Sequence, residues 1–238
     1  MVQASIVARL AALAVPTISA VLYKKGLRSR FLYGLAPLNP ALRFAGPAHT
    51  IRAIPVREDM RDAVAAGQAP NNHRLAFAAA KSGEVIVIAG GGIAGVSLLG
   101  DIIATSLQMR GIAGVVADSD VSDAALVATM EIPVVAVGSA PVPGPAKLMV
   151  ADWGVAVGIG NVAIFPGDII VGDANGAICV PREMAADVAD ATEEAERLET
   201  FLLERIRAGA PLEGTYPPDA ATRAAYEVWR KTGGGSAS

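Results

Sequence analysis

Residues 100–123 read GDIIATSLQMRGIAGVVADSDVSD. Gly100 opens the stretch, DIIATSLQMR has helical apolar spacing, Gly111 closes that helix, and GVVAD is a short apolar run of the buried-strand type. A helix feeding a buried strand through a tight turn predicts an α/β fold with parallel strands. Three carboxylates, Asp118, Asp120 and Asp123, then fall where a VVAD strand is expected to run out. Ligand chemistry in α/β folds gathers at the C-terminal ends of strands. A helix entrance beside an acidic cluster can hold an anion on backbone N–H groups and a divalent cation on carboxylates.

Upstream, EVIVIA is a second continuous apolar run, followed by Gly90, Gly91, Gly92 and Gly95 before Gly100. Glycines let a backbone approach a ligand closely, and they equally allow close helix–strand packing. The spacing is neither a Rossmann fingerprint nor a Walker A loop. Asp101, at the helix start, reads either as a capping carboxylate or as a general acid or base beside a bound anion. Asp120 and Asp123 have the spacing of an N-cap and N3 pair opening AALVATM, and they are also candidate ligands for Mg²⁺ or Mn²⁺.

The remainder of the 238 residues supports an α/β core. The chain is 53% hydrophobic but only 5% aromatic, so the core is built from Ala, Val, Ile and Leu. The net charge is −3 and no basic run exceeds Lys24-Lys25, which points to no nucleic-acid surface. The single cysteine, Cys179, sits in the apolar run AICV and reads as a buried inert thiol. His49 and His73 lack zinc-ligand spacing. The apolar first 22 residues are interrupted by Arg9 and lack a preceding basic region, which favours an amphipathic helix over a signal peptide. With no later apolar run of the ~18–20 residues a membrane span needs, a cytoplasmic protein with no membrane partner is expected.

Along the chain, residues 3–14 read as a helix stopped by Pro16, with Thr17 as the N-cap of ISAVLYKK. Residues 27–47 read as irregular, HTIRAIPV as a strand, the region around Asn71 and Asn72 as polar connection, and HRLAFAAAK as a helix. PVVAVG, WGVAVG and NVAIFPGD read as further strands, and IIVGDANGAICVP as a hairpin turned at its Asn-Gly. Residues 182–207 form a long charged helix closed by Gly209, with Glu193, Glu194, Glu196 and Glu199 on it. The chain reads as one domain over 1–231, with a flexible tail at 232–238.

Taken together, GDIIATSLQMRGIAGVVAD…D, PVVAVG and VAIFPGDIIVGDANGAICVP resemble the RraA-like family, which includes class II pyruvate aldolases cleaving 4-hydroxy-4-methyl-2-oxoglutarate and 4-carboxy-4-hydroxy-2-oxoadipate. PTISAVLYKKG, RFAGPAHTIRAIP and HRLAFAAAKSGEVIVIAGGG fit the same pattern, so the resemblance covers about residues 15–210. It implies a β/β/α swivelling-type single domain with N- and C-terminal helices, assembled as a homotrimer or homohexamer with sites between subunits. It further implies a divalent-metal-dependent lyase acting on a 2-oxo acid or related small carboxylate, by retro-aldol cleavage or decarboxylation through a metal-stabilised enolate. By resemblance, Asp123 binds the metal with Asp120 adding a carboxylate. Gly95, Gly100, Ile102 and Ile103 contact the substrate, Asp101 handles a proton, and Glu199 completes the neighbouring subunit's site. The family motif DGxxRD is DSDVSD here, so Ser122 replaces the arginine that stabilises the enolate. A serine hydroxyl lacks that charge and bidentate fork, and losing one such donor costs ~10²–10³ in rate. The alternatives are a non-catalytic regulator of the type that binds ribonuclease E, and a hydratase or isomerase on the same scaffold.

Overall fold

The computed structural model describes residues 2–233, and the part of the expected flexible tail beyond Gly233 lies outside them. In chain order the elements are α1 (Ala4–Ala12), α2 (Val15–Lys24), β1 (Ala36–Pro37), β2 (Phe44–Pro55), α3 (Glu58–Ala65), α4 (Asn72–Ala79), β3 (Val85–Ala89), β4 (Ser97–Leu99), α5 (Asp101–Met109) and β5 (Gly114–Val121). They continue as α6 (Ala124–Val127), β6 (Val134–Ser139), β7 (Leu148–Trp153), β8 (Val157–Ile159), β9 (Val162–Ile164), β10 (Ile169–Asp173), β11 (Gly176–Val180), α7 (Ala185–Arg207) and α8 (Ala220–Lys231).

One nine-stranded mixed sheet runs β1-β6-β5-β3-β2-β10-β11, with β4 on β5 and β7 on β2. The pairs β2–β3, β3–β5, β4–β5 and β5–β6 are parallel, and β10 and β7 join β2 antiparallel. The sheet curls nearly closed, the α/β architecture expected from the sequence. Its long strand β2 pairs with β10 through Phe44–Pro47, with β3 through Ala48–Arg52 and with β7 through Ile51–Pro55.

Strands β3 and β5 are buried along their whole length, so they read as continuous apolar runs. Their side chains alternate between two cores. Ile86, Ile88, Val115 and Ala117 pack with Phe77, Ala104 and Leu107 of α4 and α5, whereas Val85, Val87 and Val116 pack with the β8–β9 hairpin. A third core holds Leu10, Ile18 and Leu22 of α1 and α2 against β10, β11 and α7. No single helix among the described residues is long and apolar enough to cross a membrane.

Several boundaries differ from the sequence reading. Pro16 does not stop the first helix. It sits in the first turn of α2, where its missing N–H costs nothing, so Thr17 is a buried helical residue and not an N-cap. Strand β2 begins at Phe44, inside the stretch read as irregular. Gly46 belongs there because a Cβ would collide with the Gly83 carbonyl oxygen. WGVAVG is split at Gly154, which has φ +66° and separates β7 from β8. Strand β5 does not run out at Asp118 but continues to Val121, so Asp120 is a strand residue and not a helix cap. Asp123 is itself the N-cap of α6, in the left-handed region at φ +54°, which an Asp tolerates better than most residues. Helices α3 and α8 add elements that the sequence reading lacked. The β10–β11 hairpin, the start of α7 within one turn of the expected position and its stop near Gly209 agree with that reading.

Phe44 packs where Gly114 of β5 and Gly172 of β10 leave room for its ring, and a Cβ at Gly114 would come within 2.8 Å of it. A Cβ at Gly172 would overlap the ring still further. Gly172→Ala is therefore expected to destabilise the fold by roughly 1–3 kcal/mol, the usual cost of overpacking a core. The urea unfolding midpoint reads this, and an unchanged midpoint would contradict it.

Candidate active site

The strand-end loops position the site. The N–H groups of Gly92 and Gly95 donate to the carboxylates of Asp118 (Oδ2, 3.0 Å) and Asp120 (Oδ2, 2.7 Å), both buried. These bonds tie the glycine loop between β3 and β4 onto β5. Burial pushes the Asp118 carboxyl above its ordinary value, against the opposing pull of the Gly92 and Gly91 amides. Strand β4 then runs beside the end of β5, where Asp120 N–H donates to Val96 O (3.2 Å) and Ser122 N–H to Leu99 O (3.0 Å).

This pairing sets the start of α5 directly against residues 122 and 123. A Cβ at Gly100 would lie 2.5 Å from Ser122 Oγ and 3.1 Å from Asp123 Oδ2, so only glycine fits without displacing them. Asp101 turns its Oδ1 onto the Ile102 N–H at 2.7 Å. Ala104 N–H closes the first helical bond on Gly100 O (2.9 Å). The Ile102 amide expected to bind substrate is thus occupied by Asp101. The amides of Asp101 and Ile103 donate to no group among the described residues. The Asp123 carboxylate is exposed and makes no capping bond to α6.

Gly100, Asp101, Ile102, Ile103, Ser122 and Asp123 line one cavity of about 1020 Å³. Its other walls are Val56, helix α3 through Met60, Arg61 and Val64, the start of α4 from Asn71 to Arg74, the turn at Pro143–Pro145, and Leu148–Val150 of β7. Gly95 and Asp120 do not line it, because their polar groups face one another. Glu199 is also elsewhere, exposed on α7, where its Oε2 accepts from Thr17 Oγ1 at 3.4 Å.

The sequence reading missed the cavity's α4 side. Asn71 caps α4, its Oδ1 accepting from Arg74 N–H at 3.1 Å. His73 Nε2 lies 2.8 Å from Leu98 O, and since a carbonyl only accepts, Nε2 carries the proton. Burial lowers the His73 pKa from its ordinary 6.5. The available signal was the Asn-Asn pair opening a helical run. Cys179 is buried as expected, its thiol pushed up to about 12 by burial and by the neighbouring Asp168.

Among the described residues no three His, Cys, Asp or Glu side chains converge as metal ligands. Mg²⁺ commonly needs only one or two carboxylates, with waters and substrate supplying the remainder. Exposed Asp123 and half-buried Asp101 on one cavity wall fit that requirement.

A cavity at a helix start beside a strand-end carboxylate is the ligand-binding arrangement of an α/β protein. The RraA-like family model, described as Aldolase/RraA, matches residues 15–179, and the chain belongs to that family. A relative from Halalkalibacterium halodurans, named "Putative 4-hydroxy-4-methyl-2-oxoglutarate aldolase", is 30% identical over 155 residues, 65% of this chain and 67% of that protein. Two solved structures share the fold. An uncharacterized protein from Pseudomonas syringae has TM-score 0.77 and 25% identity, over 90% of this chain and 98% of that one. Streptomyces coelicolor RraAS2, described as an unusual member of the RNase ES inhibitor RraA protein family, has TM-score 0.74 and 28% identity, over 84% of this chain and 96% of that one. Matches to curated relatives span from 28% to 67% of those relatives' lengths.

The depressed His73 pKa gives a pH test. The unfolded chain takes up the proton first, so this contribution to stability is full above about pH 6.5 and is lost as pH falls through the lower folded value. Acidification through that window is expected to lower the urea midpoint of wild type more than that of His73→Gln. Parallel midpoint curves would contradict the assignment.

Proposed function

We propose that this chain is a divalent-metal-dependent carbon–carbon lyase that cleaves or decarboxylates a 2-oxo acid or a related small carboxylate. The observation that carries this reading is the exposed Asp123 carboxylate, held against Gly100 in the lining of a cavity that Asp101 shares. The aldolase name of the Halalkalibacterium halodurans relative supports it. Asp123 would hold Mg²⁺ or Mn²⁺. When bound, the ion would polarise the substrate's 2-oxo group and offset the charge that develops there as the C–C bond breaks.

The chain's own residues supply the remaining chemistry. Asp101 has one oxygen on the Ile102 N–H, leaving its other oxygen to take the proton from a 4-hydroxyl group. As that proton leaves, the C3–C4 bond breaks and its electron pair passes to C3, which then regains a proton. The amides of Asp101 and Ile103, with no acceptor among the described residues, would donate to oxygens at the 2-oxo end of the substrate. Asp118 and Asp120 act one step removed, by fixing the glycine loop and hence the helix start. In this reading Asp120 is a positioning residue and not a metal ligand. Glu199 would reach a site only in a neighbouring copy, as a homotrimer or homohexamer would allow. Ser122 is the observation that favours the second reading, a non-catalytic binding protein on the same scaffold.

The test is Mg²⁺- or Mn²⁺-dependent release of pyruvate from 4-hydroxy-2-oxo diacids and from oxaloacetate. Wild type is expected to turn over at least one of them slowly, and Asp123→Ala to lose about 10²-fold or more of that rate, as when one charge-stabilising group is removed. Ser122 belongs to the cavity lining, with its Oγ against Gly100 and Leu99 O, and Ser122→Arg is expected to raise retro-aldol activity by placing a cation beside Asp123. No turnover of any 2-oxo acid by either protein would favour the binding reading.

A further inference from the structure

We propose that Arg74 is the carboxylate-recognition residue of this cavity and that the preferred substrate joins one carboxylate to an apolar body, instead of being a compact diacid. The inference rests on the reading of the cavity as an organic-acid site and names the class of acid.

Two arginines, Arg61 and Arg74, belong to the cavity lining, and they differ in availability. Arg61 is committed to Asp62, with Nη2 and Oδ1 2.8 Å apart. The Arg74 side chain makes no hydrogen bond or ion pair among the described residues. It stands where the main cavity meets a smaller one of about 450 Å³ lined by Phe77, Ser106 and Arg110. Arg110 is not available there either, since its guanidinium is spent on the carbonyls of Phe77 (2.7 Å), Ala78 (3.1 Å) and Ala80 at the end of α4. With Ser122 unable to supply a cation, Arg74, exposed on α4, is the cation of the cavity lining that has no side-chain partner among the described residues. A guanidinium pairs with a carboxylate through two parallel N–H bonds.

The apolar half of the argument comes from α3. This helix buries none of its residues in any core, yet it presents Met60 and Val64 to the cavity. Leu148 and Val150 of β7 and Ile103 of α5 complete that wall. A volume of about 1020 Å³ is at the upper end of small-molecule sites and far exceeds what a three- to six-carbon diacid fills. Met60 and Val64, which serve no core and line such a space, fit contact with an aliphatic or aryl group.

Equilibrium binding without added metal tests this apart from catalysis, with octanoate and phenylpyruvate as apolar acids and pyruvate and malonate as compact ones. Wild type is expected to bind the apolar acids at least about 10-fold more tightly. Arg74→Ala should lose about 10-fold or more in octanoate affinity, consistent with the strength of a charge-assisted bond, and Arg74→Lys should recover part of it. Met60→Ser should weaken octanoate more than it weakens pyruvate. Thermal melting checks that each variant folds, which the absence of Arg74 side-chain bonds favours. Tighter binding of the compact acids, or equal octanoate binding by folded Arg74→Ala, overturns the proposal. Failure of the lyase reading would leave these affinities unaltered, whereas pyruvate release from diacids with no apolar-acid binding would remove only this inference.

Discussion

Two hydrogen bonds from glycine amides to buried carboxylates organise the functional end of this molecule. Gly92 and Gly95 donate to Asp118 and Asp120, and this exchange lets a strand carry ionisable side chains without orphaning them. Without it, β5 could not stay buried through Val121, and the loop from Gly90 to Gly95 would have no fixed path. With it, β4 lies beside β5, the start of α5 abuts Ser122 and Asp123, and Gly100 becomes the residue that geometry requires. The three acidic residues therefore divide into two roles. Two hold the loop and one faces the cavity.

That division was only half visible in the sequence. The buried strands were legible because β3 and β5 bury both faces and so show uninterrupted apolar runs. The β10–β11 hairpin was legible from its turn residues and α7 from its length. Helix α8 was not read, although Asp219 caps it through the Thr222 N–H at 2.7 Å. Helix α3 has no buried face, so no core periodicity marked it. At the site, Asp101, Ser122 and Asp123 could be named because they lie in one contiguous stretch. Arg61, His73 and Arg74 could not, since only the placement of α3, and of α4 on β7, brings them to the same cavity. Nor could sequence spacing show that Asp120 faces a glycine amide while Asp123 faces open space.

On the proposed reading the cavity joins chemistry on one set of elements to recognition on another. Asp101 and Asp123 would carry the reactive end, on elements locked by the β4–β5 pairing. Arg74 and the cavity-lining residues of α3 lie on elements outside that lock. Such an arrangement allows substrate preference to shift through α3 and α4 while the reactive end stays fixed. On that reading a serine is accommodated at position 122. The positive charge that orients an organic acid need not come from the strand end when an unpaired guanidinium faces the same space.

The central claim is that Asp123, and not Asp120, is the metal carboxylate. Diffraction from crystals grown with Mn²⁺, at a wavelength where manganese scatters anomalously, tests it directly. The account predicts a single anomalous peak at the cavity mouth, within direct or one-water reach of Asp123 and Asp101, with Gly95 still bonded to Asp120. A peak coordinated by Asp120 or Asp118, or no peak near Asp123 at saturating Mn²⁺, would contradict it.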